Sequence, residues 1–253
     1  MEESKQMNVL IACEESQTPL GVAKAMAEQW GCLIMNYNII STGSQGNAVV
    51  VNDSILIDCG VTFKALKGVY KQLKIVLLTH EHIDHFNKTT IKTLAKERPT
   101  LRFTCCEWLY EKLLSCNVSK SQIDVLKIGR IYDYKAFQVS PIQLYHNVPN
   151  CGYRIFANGE KAIYATDTGH LKGITAKDYN LYLIEANYTE EDLERRIIEK
   201  TAAGQYCYEL NVASRHLSKE QSDEWLMNNI GAFSKYEYLH GHIDRNKDWE
   251  YED

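Results

Sequence analysis

No apolar run in the 253-residue chain approaches the roughly 18 residues that a membrane-spanning helix needs. The opening Met1-Glu2-Glu3-Ser4-Lys5-Gln6 is acidic, and the apolar stretch Val9–Ala12 behind it is too short for a signal peptide, so a cytoplasmic location is expected. The eight cysteines (Cys13, Cys32, Cys59, Cys105, Cys106, Cys116, Cys151 and Cys207) include no C-x-x-C pair, and most sit inside apolar stretches. That spacing argues against a zinc ribbon or a disulfide framework and for small buried hydrophobes in a reducing compartment. Lys and Arg never cluster beyond a pair, the net charge is -5 and the pI about 5.9. Proteins that grip many phosphates carry a basic stripe, because counterion release drives that affinity. An extended nucleic-acid footprint is therefore not expected, whereas a small phosphorylated ligand held by metal is compatible. Repeats, low-complexity tracts and linkers rich in Pro or Gly are also missing.

What is present is an ordinary globular balance, 45% apolar and 24% charged. From about Asn36, short runs rich in Val, Ile, Leu, Tyr and Phe alternate with helical patterns. Strands are expected at Tyr37–Ile40, Ala48–Val51, Ile55–Asp58, Ile75–Thr79, Leu101–Cys105, Phe137–Ser140, Gln143–Tyr145, Gly152–Phe156, Ala162–Ala165, Leu181–Ile184 and Tyr236–Leu239. Helices are expected near Phe63–Leu73, Lys88–Lys96, Glu107–Leu114, Glu190–Thr201 and Lys219–Met227, the last announced by the capping box Ser218-Lys219-Glu220-Gln221. This pattern predicts a layered α/β domain over residues 35–253. Residues 1–34 read as an appended β-α segment of unknown role. Their stretch Asn8–Gln17 resembles the opening of certain phage-encoded methyltransferase-like proteins, but no Gly-rich loop follows it and no such activity is carried over.

The chemistry concentrates at His80-Glu81-His82-Ile83-Asp84-His85, at the exit of the apolar run Lys74–Thr79. Ligands of α/β sheets bind at such C-terminal strand ends. Alternation directs His80 and His82 to one side, and Asp84 and His85 follow at the turn, within reach of a second centre. Two metals about 3.5–4 Å apart clamp the attacking and leaving oxygens of a phosphoryl centre. The gluzincin pattern H-E-x-x-H fails, because Asp84 stands where its second His should be. His146, Asp167 and the pair His240/His242 each follow another β-type run, a recurrence that core histidines do not explain.

In this order, His80-x-His82-x-Asp84-His85, His146, Asp167 and a late His, the chain resembles the metallo-β-lactamase-fold hydrolases over roughly residues 35–246. Ser41–Asn47, Ile55–Gly60, Thr166–Gly169, Leu183–Asn187 and His216-Leu217-Ser218 are similar to motifs of the RNase Z-like and YycJ-like phosphodiesterase branch. The resemblance implies a four-layer αββα sandwich. It also implies that His80, His82 and His146 hold one metal, that Asp84, His85 and the late His hold a second, and that Asp167 bridges. His242-Ile243-Asp244 matches the late motif better than His240-Gly241-His242, so His242 is favoured, with His240 the alternative. His216 corresponds to a histidine near the scissile phosphate, a proton donor or oxyanion partner, or else a helix-start residue bonded locally. Glu185 either orients that neighbourhood or is a satisfied strand-end carboxylate. His170 reads as an exposed loop residue, and Glu81 as a supporting or solvent-facing one.

The imidazole-rich ligation implies two divalent ions per chain, zinc first and manganese as the alternative. Asp84 or Asp167 would orient the nucleophile, and His216 would protonate the leaving alkoxide. The expected function is hydrolysis of a small nucleotide phosphodiester. Some phage proteins of the branch, the anti-Pycsar enzymes, cleave cyclic mononucleotides in counter-defence, and the chain is similar to them in size and motif layout; if phage-encoded it would act in the host cytoplasm. A nuclease acting on DNA or RNA and a non-catalytic metal-binding module are the alternatives, while β-lactam or thioester hydrolysis fits the motifs less well. The tRNA-gripping arm of the tRNA-processing members has no counterpart here. Many members of the branch are dimers, so a homodimer is expected. No spacing singles out substrate-binding residues, and the 16 tyrosines are explained by strand propensity as readily as by base stacking.

Overall fold

A computed structural model of the chain describes residues 35–241. The β-α segment expected at 1–34 and the favoured ligand His242 lie outside the described residues. Two six-stranded sheets form the centre. The first runs β1 (Tyr37–Ser41), β2 (Ala48–Val51), β3 (Ile55–Ile57), β4 (Ile75–Leu77), β5 (Arg102–Cys106) and β6 (Ile123–Leu126) in spatial order. The second is β12 (Lys235–Leu239), β11 (Leu181–Glu185), β10 (Glu160–Ala165), β9 (Pro149–Ala157), β8 (Gln138–Tyr145) and β7 (Tyr132–Asp133). Period-two alternation makes both sheets two-faced. Ile55, Ile57, Ile75 and Leu77 meet Val139, Tyr153, Ile155, Leu181 and Leu183 in a core between the sheets. The alternate residues Leu56, Val76 and Phe103 face α1 (Lys88–Glu97) and α2 (Tyr110–Ser115). On the far side, Ile163, Tyr182 and Ile184 face Leu217 and Leu226, the latter on α5 (Lys219–Met227). Between β11 and α5 lie α3 (Glu190–Ala202) and α4 (Glu209–Val212). The result is the αββα layering expected from the sequence.

Strand directions decide where the site can be. In the first sheet β3, β4, β5 and β6 are parallel. In the second, β10, β11 and β12 are parallel, and β8 shares their direction because both β8 and β10 run antiparallel to β9. Six strand exits, those of β3, β4, β8, β10, β11 and β12, thereby supply side chains to one shared centre.

Several elements differ from expectation. The helix expected at Phe63–Leu73 is a string of turns, with Ala65 N–H donating to Thr62, Leu66 to Phe63 and Lys67 to Lys64. Gly68 and the β-branched Val69 lower helix propensity in its middle, and burial of Leu66 and Leu73 anchors the turns instead. The two strands expected on either side of Pro141 are one strand, β8. Pro141 is tolerated because it lies beyond the end of two-residue β7, with its carbonyl turned away from β9 to accept from Gly129 N–H. The short strands β6 and β7 were not expected. The capping box at Ser218 and Gln221 is formed. Cys59, Cys105, Cys106, Cys116 and Cys151 are buried free thiols and Cys207 is half-buried; Cys13 and Cys32 lie outside the described residues. Burial pushes the Cys105 thiol up to about 12. Among the described residues no helix is long and apolar enough to cross a membrane.

Candidate metal centre

After β4 the chain continues extended to His80 and then turns, with His85 and Phe86 N–H both donating to the His82 carbonyl. The turn is clamped from the β3 side by Asn47 N–H on the Asp84 carbonyl (2.6 Å) and Cys59 N–H on the His85 carbonyl (2.9 Å). Gly60 permits this approach: a Cβ there would stand 1.6 Å from the Asp84 carbonyl oxygen. The clamp holds His80 and His85 fully buried and leaves Asp84 partly open.

Four overlapping donor groups result among the described residues; the group of Asp167, Glu185, His216 and His240 and the group of His80, His85 and Asp167 contain Asp167, and the other two sets share no residue. His80, His82 and His146 form the first, their ligand atoms all within 4.8 Å of one another. His80 Nε2 and His82 Nδ1 are 3.1 Å apart, close to the roughly 3.4 Å between two ligands placed about 2.0–2.1 Å from a tetrahedral ion. His146, at the exit of β8, donates from Nδ1 to the Arg215 carbonyl (3.0 Å), which leaves Nε2 as the free lone pair. Asp84, His85 and His240 form the second set. His240 Nε2 lies 3.4 Å and His85 Nε2 3.5 Å from Asp84 Oδ2.

Asp167, at the exit of β10, stands between the sets. Its Oδ2 is 2.9 Å from His85 Nε2, and its Oδ1 is 3.5 Å from His240 Nε2 and 3.8 Å from His146 Nε2. Asn150 fixes its backbone by donating to the Asp167 carbonyl (2.7 Å). Asp167 is buried, and its Oδ2 has no hydrogen-bond partner. With His85 Nδ1 taken by Asp58 (2.6 Å), Asp167 Oδ2 faces an Nε2 lone pair that, among the described residues, only the Asn47 amide approaches, an arrangement that a cation beside them would satisfy. Without a cation, protons take that role. Burial opposes charge on His85, but the carboxylates of Asp167 and Asp58 outweigh it and push its pKa up to about 10. His240 is raised against its burial by Asp167, Asp84 and Glu185. In the first set, burial and then the neighbouring His85 hold His80 well below its usual value, and burial also lowers His146. A donor set of imidazoles and carboxylates, one side neutral and the other carrying displaceable protons, fits divalent metal binding.

At the late position the structure describes one of the two candidates. His240, the alternative, is brought to the centre, while the favoured His242 lies outside the described residues. Strand β12 is in register with β11 through the pair Glu185–Leu239, and the chain turns directly after it, His240 adopting φ +58°. Thr42 Oγ1 accepts from His240 N–H (2.7 Å) and Asn187 donates to the His240 carbonyl (2.8 Å), holding the turn.

Glu185 is a strand-end carboxylate in contact with both His216 and His240. It is buried; Oε1 takes His216 Nδ1 at 2.6 Å and His240 Nδ1 at 3.2 Å, and Oε2 accepts from the backbone of Thr168 and Leu217. His216 and His240 consequently stack at 5.4 Å and 9°. His170 is exposed and lies against Tyr145 (4.3 Å), away from the metal sets, and Glu81 pairs with Lys112. Sequence reasoning assigned no role to Asp58, Asn47 or Asn187. Asp58 accepts from Thr79 N–H, Thr79 Oγ1 and Tyr164 OH in addition to His85, and Asn47 Nδ2 lies 2.8 Å from His85 Nε2. The signal for Asp58 was a lone carboxylate closing the apolar run Ile55–Ile57.

Residues 53–244 match the family model for the beta-lactamase superfamily domain. The chain belongs to this family. No curated protein sequence matches it significantly. Among solved structures it is similar to the metallo-beta-lactamase fold protein YhfI from Bacillus subtilis, with a TM-score of 0.63, 15% identity, and coverage of 81% of this chain and 85% of that one. Human tRNase Z, short form, gives 0.59 and 14%, over 81% and 92%. A diphosphatase from the PhnP family gives 0.56 and 13%, over 81% and 85%. At these identities the likeness is one of fold.

Proposed function

We propose that the protein is a dinuclear metal-dependent phosphodiesterase acting on a small nucleotide. The observation that carries this reading is the pair of donor sets on either side of Asp167, with His216 held beside them by Glu185. His80, His82 and His146 would hold one divalent ion, zinc first by donor type, and Asp84, His85 and His240 the other. Such ions lower the pKa of bound water to about 7 and neutralise phosphoryl oxygens.

The chain's own residues supply the rest. Glu185 fixes the ring of His216 through Nδ1 and leaves its Nε2 for substrate. His216 is more open than the imidazole ligands His85 and His240, with 17% of its side chain accessible against 0% and 8%. It is placed to give a proton to the departing alkoxide as water's oxygen bonds to phosphorus and the ester P–O bond breaks. Asp84 is 21% accessible where Asp167 is 3%, so Asp84 is the carboxylate open to the attacking water and Asp167 the internal brace.

The test is metal content together with turnover of cyclic CMP, UMP and AMP, and of single- and double-stranded DNA and RNA, at fixed zinc or manganese. Cleavage of cyclic or other small nucleotide diesters supports the reading. Cleavage confined to long nucleic acid makes the chain a nuclease, and two bound ions with no turnover make it a binding module.

A further inference from the structure

A cavity of about 180 Å³ opens beside the metal centre, and His216 and His240 form part of its wall. Its other sides come from Ser44, Asn187 and Gly241 and from the α3–α4 region, through Arg196, Tyr208 and Val212. Because its wall includes His240 of the second donor set and the proposed proton donor His216, a group seated there is joined to whatever lies at the ions. Cavities that enclose a whole small ligand measure about 300–1,000 Å³, so this one takes a single substituent.

The lining selects the chemistry of that substituent. Tyr208 and Val212 offer an aromatic ring and an aliphatic wall. Arg196 is the sole full cation, and its Nε is spent on the Asp192 carbonyl (3.3 Å), which leaves the terminal amino groups for the cavity. A second phosphate calls for several converging donors, whereas one guanidinium beside a ring suits a flat aromatic group with acceptors on its edge. Tyr208 is already positioned. Lys200 Nζ sits 3.9 Å from its ring centroid and is anchored at 2.5 Å by buried Glu209, yet 45% of Tyr208 is accessible.

We propose that this cavity is a nucleobase subsite, in which Tyr208 and Val212 contact the base face and Arg196 its acceptor-bearing edge, so that one nucleoside substituent of the scissile phosphodiester is selected there. The assignment rests on the phosphodiesterase reading above and adds the residues that determine specificity.

The experiment compares thymidine 5′-(p-nitrophenyl) phosphate with methyl p-nitrophenyl phosphate on the full chain with zinc, in the native protein, Tyr208→Leu and Arg196→Gln. Both esters are measured on the same sample, so a misfolded fraction does not alter their ratio. The native chain is expected to favour the nucleoside ester by about 10–100-fold in kcat/KM, and each variant to lose about tenfold of that preference, mainly through KM. Calorimetric titration with thymidine 5′-monophosphate is the second readout, with binding about tenfold weaker in both variants. If both esters are cleaved without preference, or the preference survives both substitutions, the subsite is overturned and the phosphodiesterase reading stands. If neither ester is cleaved but nucleotide binding falls in both variants, the subsite stands and the hydrolase reading fails. Absence of both cleavage and binding overturns both.

Discussion

The two donor sets are built on opposite electrostatic terms. His80, His82 and His146 contain no carboxylate, and burial keeps His80 and His146 neutral. Asp84, His85 and His240 are enclosed by Asp58, Asp167 and Glu185, whose carboxylates outweigh burial and raise the pKa of His85 to about 10 and that of His240 well above its usual value. The first set is prepared by exclusion of water, the second by surplus negative charge. The lesson is that one pocket can prepare two donor sets by unequal means, with Asp167 standing between them.

Substitutions can break that comparison in order of severity. Asp167→Ala removes the carboxylate between the two sets, and activity should fall about 10³-fold or more, with loss of both ions visible by elemental analysis. If one ion and near-native turnover survive, Asp167 is no bridge. His216→Gln should lower kcat by about 10²–10⁴-fold while metal content stays at the native level; an equal loss of metal would make His216 a ligand instead of a proton donor. Asp58→Asn loses the charged partner of His85 Nδ1 while an amide oxygen can still accept from Thr79, so apparent metal affinity should drop about 10–100-fold at the second set and less at the first by calorimetric titration. Uniform weakening of both ions would contradict the separation drawn above. The mildest expected effect is Tyr145→Leu, which loses the contact with His170 outside both sets and should change neither metal content nor turnover more than about twofold.

Legibility in the sequence followed the same physical divide. The strand exits bearing His80, His146, Asp167 and the late histidine were readable, because apolar runs of period two end visibly where a metal-competent residue begins. The place of His240 at the centre was not readable from spacing, since it depends on where β12 stops against Glu185 and on a left-handed turn at His240. Asp58 stood at a strand end like the ligands, but its role arises from Tyr164, 106 positions away, and from His85, contacts that no local pattern encodes. The turns at 62–72 carry a helix-like apolar spacing that long-range burial of Leu66 and Leu73 redirected. The substrate side was illegible for a related reason. Arg196, Tyr208 and His216 lie on separate segments and become neighbours only when α3 and α4 fold beside the exit of β12.

Asp58, Asp167 and His240 share φ near +58° at the exits of β3, β10 and β12. Few side chains accept that conformation cheaply; Asp, Asn and His do so more readily than the rest, and only Asp and His among them serve as strong metal donors or charged supports. The backbone therefore acts as a filter on substitution that is independent of the metal. Exchanges that preserve donor chemistry, such as Asp167→Glu or His240→Gln, still meet a torsional obstacle.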